Sequence, residues 1–377
     1  MNKQNNQQEK DFFTAIDLGQ YDEVKAMAQK DPSLLTAYHY NCFGGTPITI
    51  CSNHTDTKMI DLLLDLGADI DQASDWWAGP WNPIQSALSC GNVDLAEYFA
   101  KKGASIGVHE AAGLNQLEQL KRLLKENPSL VNQRGGDGCF PLHFAATTEV
   151  VDVLIDYKAD LDARDIDHHS TAAQYLAPHR PKVVKHLFDK GATADIFSVA
   201  LVGDTQRFDS MLAADPSLLD KKINQEFFPP GPEHNVHNVL TYSVGQDSNL
   251  LHTAVIGKQL DMLEPIVKAG LSIDSRGGYD DSTSMHMVAW RDELAVAKKL
   301  VELGAEIDLR SGKIHNNTPA GWAIVGGSPN VFCYLIDQGA VIQDYFESDI
   351  KAGLAGEFQK YKQVPLSNFQ VMLDRIS

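Results

Sequence analysis

The feature that most constrains the fold of this chain is a recurring four-residue segment. It begins at positions 46, 82, 140, 170, 249, 283 and 318, as T-P-I-T, N-P-I-Q, F-P-L-H, S-T-A-A, N-L-L-H, T-S-M-H and T-P-A-G. Six of the seven copies are followed twenty-one residues later by a glycine: Gly67, Gly103, Gly191, Gly270, Gly304 and Gly339. The copy at 140 reaches the equivalent position early, at Lys158. A fixed period of this kind predicts a stack of similar units, each of which touches only its neighbours.

Each interval between the markers contains two short amphipathic patterns. The run from Met59 to Asp71, M-I-D-L-L-L-D-L-G-A-D-I-D, has apolar residues at helical spacing and ends in G-A-D-I-D. A glycine at that point supplies the left-handed conformation that ends a helix, and the polar residues after it suit a turn or hairpin. The unit is therefore predicted to be two helices followed by a hairpin finger.

This register resembles the ankyrin repeat family, in particular bacterial proteins with many repeats, from about Asp11 to about Gln343. The resemblance implies an all-α solenoid of stacked helix-turn-helix units with short hairpin fingers. Residues 1–10 are predicted to be a disordered tail, residues 11–344 an array of about ten repeats, and residues 345–377 a helical cap. Segments D-P-S-L-L at 31, N-P-S-L-V at 127 and D-P-S-L-L at 215 mark divergent units that open groups near residues 11, 108 and 196.

One segment interrupts the period. Residues 223–248 carry Pro229, Pro230 and Pro232 and cannot be helical throughout. Insertions into a repeat array tend to project from its binding face. We therefore expect a loop that could serve as a lid or rim.

Composition restricts the partners. The formal charge of −18 and the pI near 5.0 argue against nucleic acid and anionic membranes, since both present phosphates that the protein would repel. The five cysteines are scattered without a C-x-x-C pair, which argues against a disulfide framework or a thiolate metal site and favours a reducing cytoplasm. No apolar run is long enough for a signal core or a membrane span. We predict neither a metal nor a cofactor.

The stretch D-I-D-H-H-S-T-A-A-Q-Y at 165–175 concentrates ionisable side chains. The register places Asp167, His168 and His169 at a hairpin tip, and Asp137, Asp280 and His315 take the slot of Asp167 in other repeats. Asp167 could simply bond turn backbone. His168 takes a slot that holds glycine in other repeats, which suggests contact with something outside the fold.

Other histidines have a structural interpretation. His143, His252 and His286 belong to the recurring tetrapeptide, where the resemblance implies an imidazole bonded to nearby backbone or hydroxyl groups. His234 and His237 have an H-x-x-H spacing, but their proline-rich flanks make a metal-binding helix doubtful. Neither group is expected to bind a ligand.

The five tryptophans fall at predicted surface positions. Trp76, Trp77 and Trp81 lie in one hairpin, while Gln174, Trp290 and Trp322 occupy inner-helix positions. Tryptophan is frequent in the cores of interfaces. We therefore expect a binding surface that includes these residues together with His168 and His169.

Two functions fit this pattern. The first, which the resemblance implies, is recognition of a partner protein, basic or neutral in charge, through a concave groove and hairpin tips. The second is an enzyme acting on a small ligand or carbohydrate as a hydrolase or lyase, with Asp137, Asp167, His168, His169, Asp280 and Asp281 supplying acid and base groups between tryptophan walls. The sequence has no P-loop, G-x-G-x-x-G, H-E-x-x-H or G-x-S-x-G motif to support the second.

Overall fold

The computed structural model describes residues 4–52, 56–232 and 237–377. Within these ranges the regular structure is helical, and extended pairing is confined to isolated bridges such as Arg164 with Thr171 and Gly277 with Ser282. Each bridge closes the neck of a hairpin finger. The all-α class predicted from the sequence is confirmed.

The chain divides into two compact units. The first consists of residues 1–193 and 230–236, and the second of residues 194–229 and 237–377. The boundary at Ala194 lies close to residue 196, near which the sequence predicts the start of the third group of repeats.

In the first unit the α-helices are α1 Gln7–Asp17, α2 Tyr21–Lys30, α3 Pro47–Cys51, α4 Thr57–Asp65, α5 Pro83–Ser89, α6 Val93–Lys101, α7 Val108–Gly113, α8 Leu117–Glu126, α9 Thr148–Asp156, α10 Ala172–Leu176 and α11 Pro181–Asp189. Four short 3₁₀ segments join them among the described residues: η1 Pro32–Thr36, η2 Pro128–Asn132, η3 Gly136–Gly138 and η4 Pro141–Phe144. The first helices of successive repeats (α1, α3, α5, α7, η4 and α10) pack in one layer. Second helices such as α8, α9 and α11 pack in another.

In the second unit the α-helices are α12 Ile196–Val202, α13 Thr205–Ala214, α14 Val239–Ser243, α15 Leu250–Ile256, α16 Leu260–Lys268, α17 Ser284–Arg291, α18 Leu294–Glu302, α19 Pro319–Val325, α20 Pro329–Asp337, α21 Phe346–Leu354 and α22 Ser367–Ile376, with η5 Pro216–Asp220 and η6 Tyr279–Asp281. Helices α12, α15, α17 and α19 form the inner layer, and α13, α16, α18 and α20 the outer layer. Helices α21 and α22 pack against α19 and α20, and bury Phe346, Phe369 and Met372.

The marker residues begin and end the helices for identifiable reasons. The side chains of Thr46, Asn82 and Thr318 accept backbone N–H groups in the first turns of α3, α5 and α19. All six marker glycines have a left-handed backbone, with φ between 90° and 116°. Lys158, the residue that replaces glycine in the shortened repeat, also has positive φ, 68°. The spacing of the sequence markers therefore matches the helix ends.

Several predicted boundaries need correction. Helix α1 begins at Gln7, inside the segment predicted to be a disordered tail, because Asn6 and Glu9 form a reciprocal capping box at its start. Asn5 is buried and donates to the carbonyl of Tyr38, so the ordered chain starts before residue 11.

Two further elements differ from the expected pattern. The first helix of the repeat at 140 is reduced to the 3₁₀ turn η4, since Thr147 caps α9 only three residues after Phe144. The insertion at 223–248 contains the helix α14, and Ile223 pairs with its other end through the Ser248 carbonyl. His234 of the H-x-x-H pair lies outside the described residues, whereas the ring of His237 lies 6.4 Å from that of Tyr242.

Within the described ranges, every helix is too short or too polar to span a bilayer.

Candidate binding site at the hairpin tips

Neighbouring hairpin tips of the first unit are tied together by backbone hydrogen bonds. The N–H of Asp75 donates to Gly44 (2.9 Å), and that of Asp137 donates to Gly79 (3.3 Å). The Asp137 carbonyl in turn accepts the N–H of Ile166 (2.9 Å) from the next tip. Side chains at equivalent tip positions are consequently brought close to one another.

The tip at residues 165–170 is closed by Asp165. Its backbone N–H donates to the Ser170 carbonyl (3.0 Å), while its buried carboxylate accepts the N–H groups of His168 and Ser170. The sequence suggested a turn-bonding role for Asp167, but it is the Asp165 carboxylate that accepts these backbone N–H groups. Asp167 and His168 extend from a turn that Asp165 already stabilises.

Asp137 occupies the previous tip in a strained conformation. Its backbone is left-handed, with φ of 54°, and its side chain is buried. One carboxylate oxygen accepts the indole N–H of Trp81 at 2.8 Å. The Trp81 ring lies over Gly136, where an added Cβ would come within 2.2 Å of the ring, so only glycine fits there. The tryptophan and the glycine together orient the Asp137 carboxylate.

The side chains of Asp137, Asp167 and His168 lie close to one another. Nδ1 of His168 lies 3.8 Å from Oδ2 of Asp137, and Nε2 of His168 lies 3.8 Å from Oδ2 of Asp167. One donor atom from each of the three residues can be chosen such that all lie within 4.8 Å of one another. We call these three residues the tip cluster.

The tip cluster carries an excess of negative charge in a buried place. Burial, together with the neighbouring carboxylates of Asp167 and Asp165, raises the pKa of Asp137 to about 6 against the opposing effects of the Trp81 hydrogen bond and the charge of His168. Burial alone would lower the pKa of His168, but the hydrogen bond and charge of Asp165, with Asp137 and Asp167, outweigh it and raise the pKa. Three carboxyl groups thus surround one imidazole and favour its protonated form.

Sequence reasoning missed the side chains that support the tip cluster. The buried Glu110 accepts the amides of Asn82 and Gln85 (both 2.6 Å), and Gln85 in turn accepts the N–H of Gly136 at 3.1 Å. The ring of Tyr175 lies 6.1 Å from that of His168, edge to face. Tyr175 could have been found because it belongs to the stretch 165–175. Glu110 and Gln85 could not, because they lie on α7 and α5, with no motif that links them to that stretch.

His169 and Gln174 take other positions. His169 has a left-handed backbone (φ 50°), and its ring packs against Gly231, which belongs to the same compact unit. Part of the insertion therefore lies beside this tip. Gln174 is buried, and its side chain accepts the N–H of Thr171 (3.0 Å) in a capping box, so it stabilises the start of α10 rather than lining a surface.

In the second unit, Asp280 occupies the slot of Asp137 and has the same left-handed backbone, with φ of 55°. Its carboxylate accepts the N–H groups of Ile314 (2.9 Å) and His315 (3.0 Å) and the hydroxyl of Ser311 (2.8 Å). These bonds hold the pKa of Asp280 below its usual value although burial acts in the opposite direction. Asp281 is exposed, with its carbonyl accepting from Arg276.

Aromatic side chains surround that second tip. The ring of Trp322 contacts those of Tyr279, His286 and His315 edge to face, at 5.4–6.2 Å. The Tyr279 hydroxyl lies 3.0 Å from Nε2 of His315. Trp290 is half-buried in α17, where its carbonyl accepts from Ser328 and Lys362.

The first unit has a more exposed aromatic surface at its other tips. The rings of Phe43 and Trp76 are 5.0 Å apart and nearly perpendicular, and Trp77 lies 6.0 Å from Trp76. Phe43 is 64% exposed and Trp77 47%. We call these three residues the aromatic patch.

The tetrapeptide histidines are structural. His143 accepts the N–H of Phe140 and bonds the Ser170 carbonyl, and His286 connects Thr283 with the Asn317 carbonyl in the same way. His252 bonds Asn249 and the Ser282 carbonyl. Each ring thus links the start of its own inner helix to the next hairpin.

Comparison with known proteins supports the repeat assignment. A family model described as ankyrin repeats, in three copies, matches residues 108–198. The mouse ankyrin repeat and SAM domain-containing protein 6 is 26% identical over 121 residues, which cover 32% of this chain and 13% of the mouse protein. The human transient receptor potential cation channel subfamily A member 1 is 29% identical over 98 residues, covering 23% of this chain and 9% of the channel. Residues 108–198 therefore contain ankyrin repeats.

The similarity is confined to part of each relative. This chain spans only about a tenth of the length of these curated proteins. Among solved structures, the human ASB11 ankyrin repeat domain aligns with a TM-score of 0.42 and 19% identity, covering 63% of this chain and all of that domain. Ankyrin repeats are in general protein-interaction modules, and the comparisons specify no partner.

Proposed function

We propose that this chain is a binding protein that recognises a partner protein through its hairpin tips, with the aromatic patch of the first unit as the principal contact. One observation carries the proposal: Phe43, Trp76 and Trp77 form a contiguous aromatic surface on adjacent tips, and two of the three are largely exposed. Burying such side chains costs little conformational entropy and excludes water, which is why tryptophan is common among interface residues that dominate affinity.

The rigidity of the tips supports this proposal. Gly44 has positive φ, and an added Cβ there would lie 2.6 Å from the Asp75 carbonyl oxygen, so the two tips pack backbone to backbone. Rigid side chains lose less entropy on binding than those on mobile loops. The aromatic patch is therefore preorganised for a partner.

The charge of the chain supports a basic or neutral partner. A net charge of −18 raises the association rate of a basic protein and slows that of an acidic one. The affinity for a basic partner is then expected to fall as the salt concentration rises.

The experiment begins with capture of partners from a cell extract on the immobilised chain, followed by purification of one partner and measurement of its dissociation constant. Replacing Trp77 by alanine should weaken binding by at least ~30-fold, equivalent to about 2 kcal/mol. Phe43→Ala should act in the same direction.

Leu18→Ser is the matched control. Leu18 is 66% exposed and lies in the turn between α1 and α2 rather than in a hairpin tip. It should leave the dissociation constant within ~2-fold of the parent. Equal affinities for the parent, Trp77→Ala and Phe43→Ala would contradict the proposal.

A second candidate function, cleavage of a carbohydrate by a hydrolase or lyase reaction, is favoured by one observation. Asp137 has a pKa of about 6 beside Trp81, and Asp167 faces it across His168. A protonated carboxyl opposite an ionised one is the arrangement of glycoside cleavage. Turnover of chromogenic glycosides that falls at least ~100-fold in Asp137→Asn, with folding intact, would support this candidate; the absence of turnover across a glycoside panel would leave the binding function preferred.

A further inference from the structure

The tip cluster has the composition of a metal site. It offers two carboxylates and one imidazole from two successive hairpins, with donor atoms within 4.8 Å of one another. An ion bound at ~2.0–2.2 Å to each donor separates adjacent ligand atoms by ~3–3.6 Å. The two 3.8 Å separations in the structure involve opposite ring nitrogens of His168, Nδ1 toward Asp137 and Nε2 toward Asp167, so an ion takes one of these nitrogens and the carboxylate that faces the other rotates toward it. With one donor atom taken from each residue, the three atoms lie within 4.8 Å of one another and draw together on binding.

The surrounding structure holds these donors in place independently of any ion. Trp81 hydrogen-bonds Oδ1 of Asp137, while Oδ2 of the same carboxylate faces His168. Asp165 binds the backbone of the tip that carries Asp167 and His168. Such outer contacts orient the ligands of metal sites and fix their geometry.

The charge balance also calls for a cation. Asp137, Asp165 and Asp167 surround the single imidazole of His168, and Asp137 and Asp165 are buried. Excess buried negative charge is costly unless it is compensated. In the equivalent slot of the second unit, Asp280 is compensated by two backbone N–H groups and a hydroxyl, whereas the Asp137 carboxylate accepts the indole N–H of Trp81.

We propose that Asp137, Asp167 and His168 bind a divalent transition-metal cation of the Zn²⁺ or Mn²⁺ type. The imidazole disfavours Ca²⁺ and Mg²⁺, which prefer oxygen ligands alone. With three protein ligands the coordination sphere keeps a position for water or for a group of a bound partner. This site is separate from the aromatic patch, and its existence does not depend on the proposed binding function.

The test is titration of the chelator-treated full chain with ZnCl₂, followed by calorimetry and by competition with a chromogenic zinc chelator. The parent should bind with micromolar or tighter affinity at a site that Asp167→Asn and His168→Asn weaken at least ~10-fold. Parallel titrations with MnCl₂ and CaCl₂ should show binding of manganese and much weaker binding of calcium. Loading the parent with Co²⁺ in place of Zn²⁺ should give a visible absorption spectrum, and Asp167→Asn should lose this spectrum.

Two variants serve as controls for adventitious binding. Asp280→Asn removes the carboxylate in the same slot of the second unit, and His186→Asn breaks the surface pair of His186 with Asp152. Both should bind zinc at this site as the parent does. Binding that is unchanged by Asp167→Asn, or no binding tighter than millimolar in the parent, would overturn the proposal. Far-ultraviolet spectra identify any variant that fails to fold, and Asp167→Asn, at a ligand less buried than Asp137, then remains the deciding variant.

Discussion

Two pairs of neighbouring hairpin tips, one pair in each unit, use different carboxylates to accept the backbone N–H groups of the second tip. In the first unit, Asp137 is followed by the tip at 165–170, and in the second unit Asp280 is followed by the tip at 311–317. Both aspartates have a left-handed backbone, and the carbonyl of each accepts an N–H from the next tip. Only the Asp280 carboxylate bonds the backbone of that next tip.

The difference has its origin in one residue. The second tip of the first unit begins with Asp165, whose carboxylate satisfies the N–H groups of its own turn. The corresponding position in the second unit is Ser311, which pairs with the Asn317 carbonyl as Asp165 pairs with that of Ser170. A serine hydroxyl cannot accept as many bonds as a carboxylate, and Asp280 supplies the missing acceptor. Because Asp165 accepts these N–H groups in the first unit, the carboxylate of Asp137 contacts side chains instead of the backbone of the next tip.

The strongest test of this comparison is the removal of Asp165. Asp165→Ala should lower the free energy of unfolding by ~3–5 kcal/mol, because two buried N–H groups lose a charged acceptor. Ser311→Ala should cost only ~1 kcal/mol, since Asp280 still binds the second tip. Urea denaturation followed by circular dichroism measures both, and equal losses would mean that the two tips are stabilised alike.

The contributions of Asp137 and Asp280 to the free energy of unfolding should change with pH in opposite directions. The pKa of Asp137 is raised to about 6 in the folded chain, so its contribution to stability is present below pH 4 and is lost as the pH rises through 6. Relative to Asp137→Asn, the parent should lose about 2.4 kcal/mol between pH 4 and pH 7, measured with a chelator present.

Asp280 provides the control for that measurement. Its pKa is lowered, so its contribution is present at neutral pH and is lost as the pH falls through the folded-state value. The parent should therefore lose stability relative to Asp280→Asn on acidification. The same sign for both pairs would show that the two carboxylates have equivalent surroundings.

A third test transfers the acceptor from one tip to the other. Asp280→Ala should cost ~1–3 kcal/mol, because Ile314 and His315 lose their acceptor at the tip. Adding Ser311→Asp should restore part of this loss by providing the carboxylate that Asp165 supplies in the first unit. A double variant whose loss equals the sum of the single losses, in a double-mutant cycle, would refute the substitution of one acceptor for the other.

The sequence predicted the fold more fully than the site. Periodic glycines report a backbone requirement that recurs in every repeat, which is why even the exception at Lys158 could be located. The tip cluster depends instead on side chains thirty residues apart and on which acceptor closes each turn. Asp165 and Asp167 are indistinguishable by residue type, and only the folded turn separates the capping carboxylate from the one beside His168.

Local sequence was also a poor guide to Gln174 and to the start of the array. The inner-helix register placed Gln174 in the slot of Phe144 and Trp322, but Thr171 rather than Ser170 caps α10. Gln174 therefore lies one position earlier, at the third residue of α10, where its side chain reaches back to the N–H of Thr171. The polar composition of residues 1–10 suggested disorder, whereas a capping box at Asn6 and Glu9 begins a helix whose apolar residues come later. Short-range hydrogen bonds decided both cases.

The smallest expected effect is the difference in free energy of unfolding between phenylalanine variants of Trp81 and Trp322, the two tryptophans that hydrogen-bond at the tips. Trp81 donates its indole N–H to the buried Asp137 carboxylate at 2.8 Å, whereas Trp322 donates to the Ser311 hydroxyl at 3.3 Å. Replacement by phenylalanine removes the N–H and a similar part of the ring at both sites, so the difference between the variants isolates the hydrogen bond. Trp81→Phe should cost ~1.5–3 kcal/mol, and Trp322→Phe ~0.5–1 kcal/mol, since a bond to a charged acceptor in a buried site is the stronger. Repeating both measurements in the Asp137→Asn background should bring the two losses close together. If Trp81→Phe costs as much there as in the parent, its effect comes from ring packing over Gly136, and Trp81 does not orient the carboxylate.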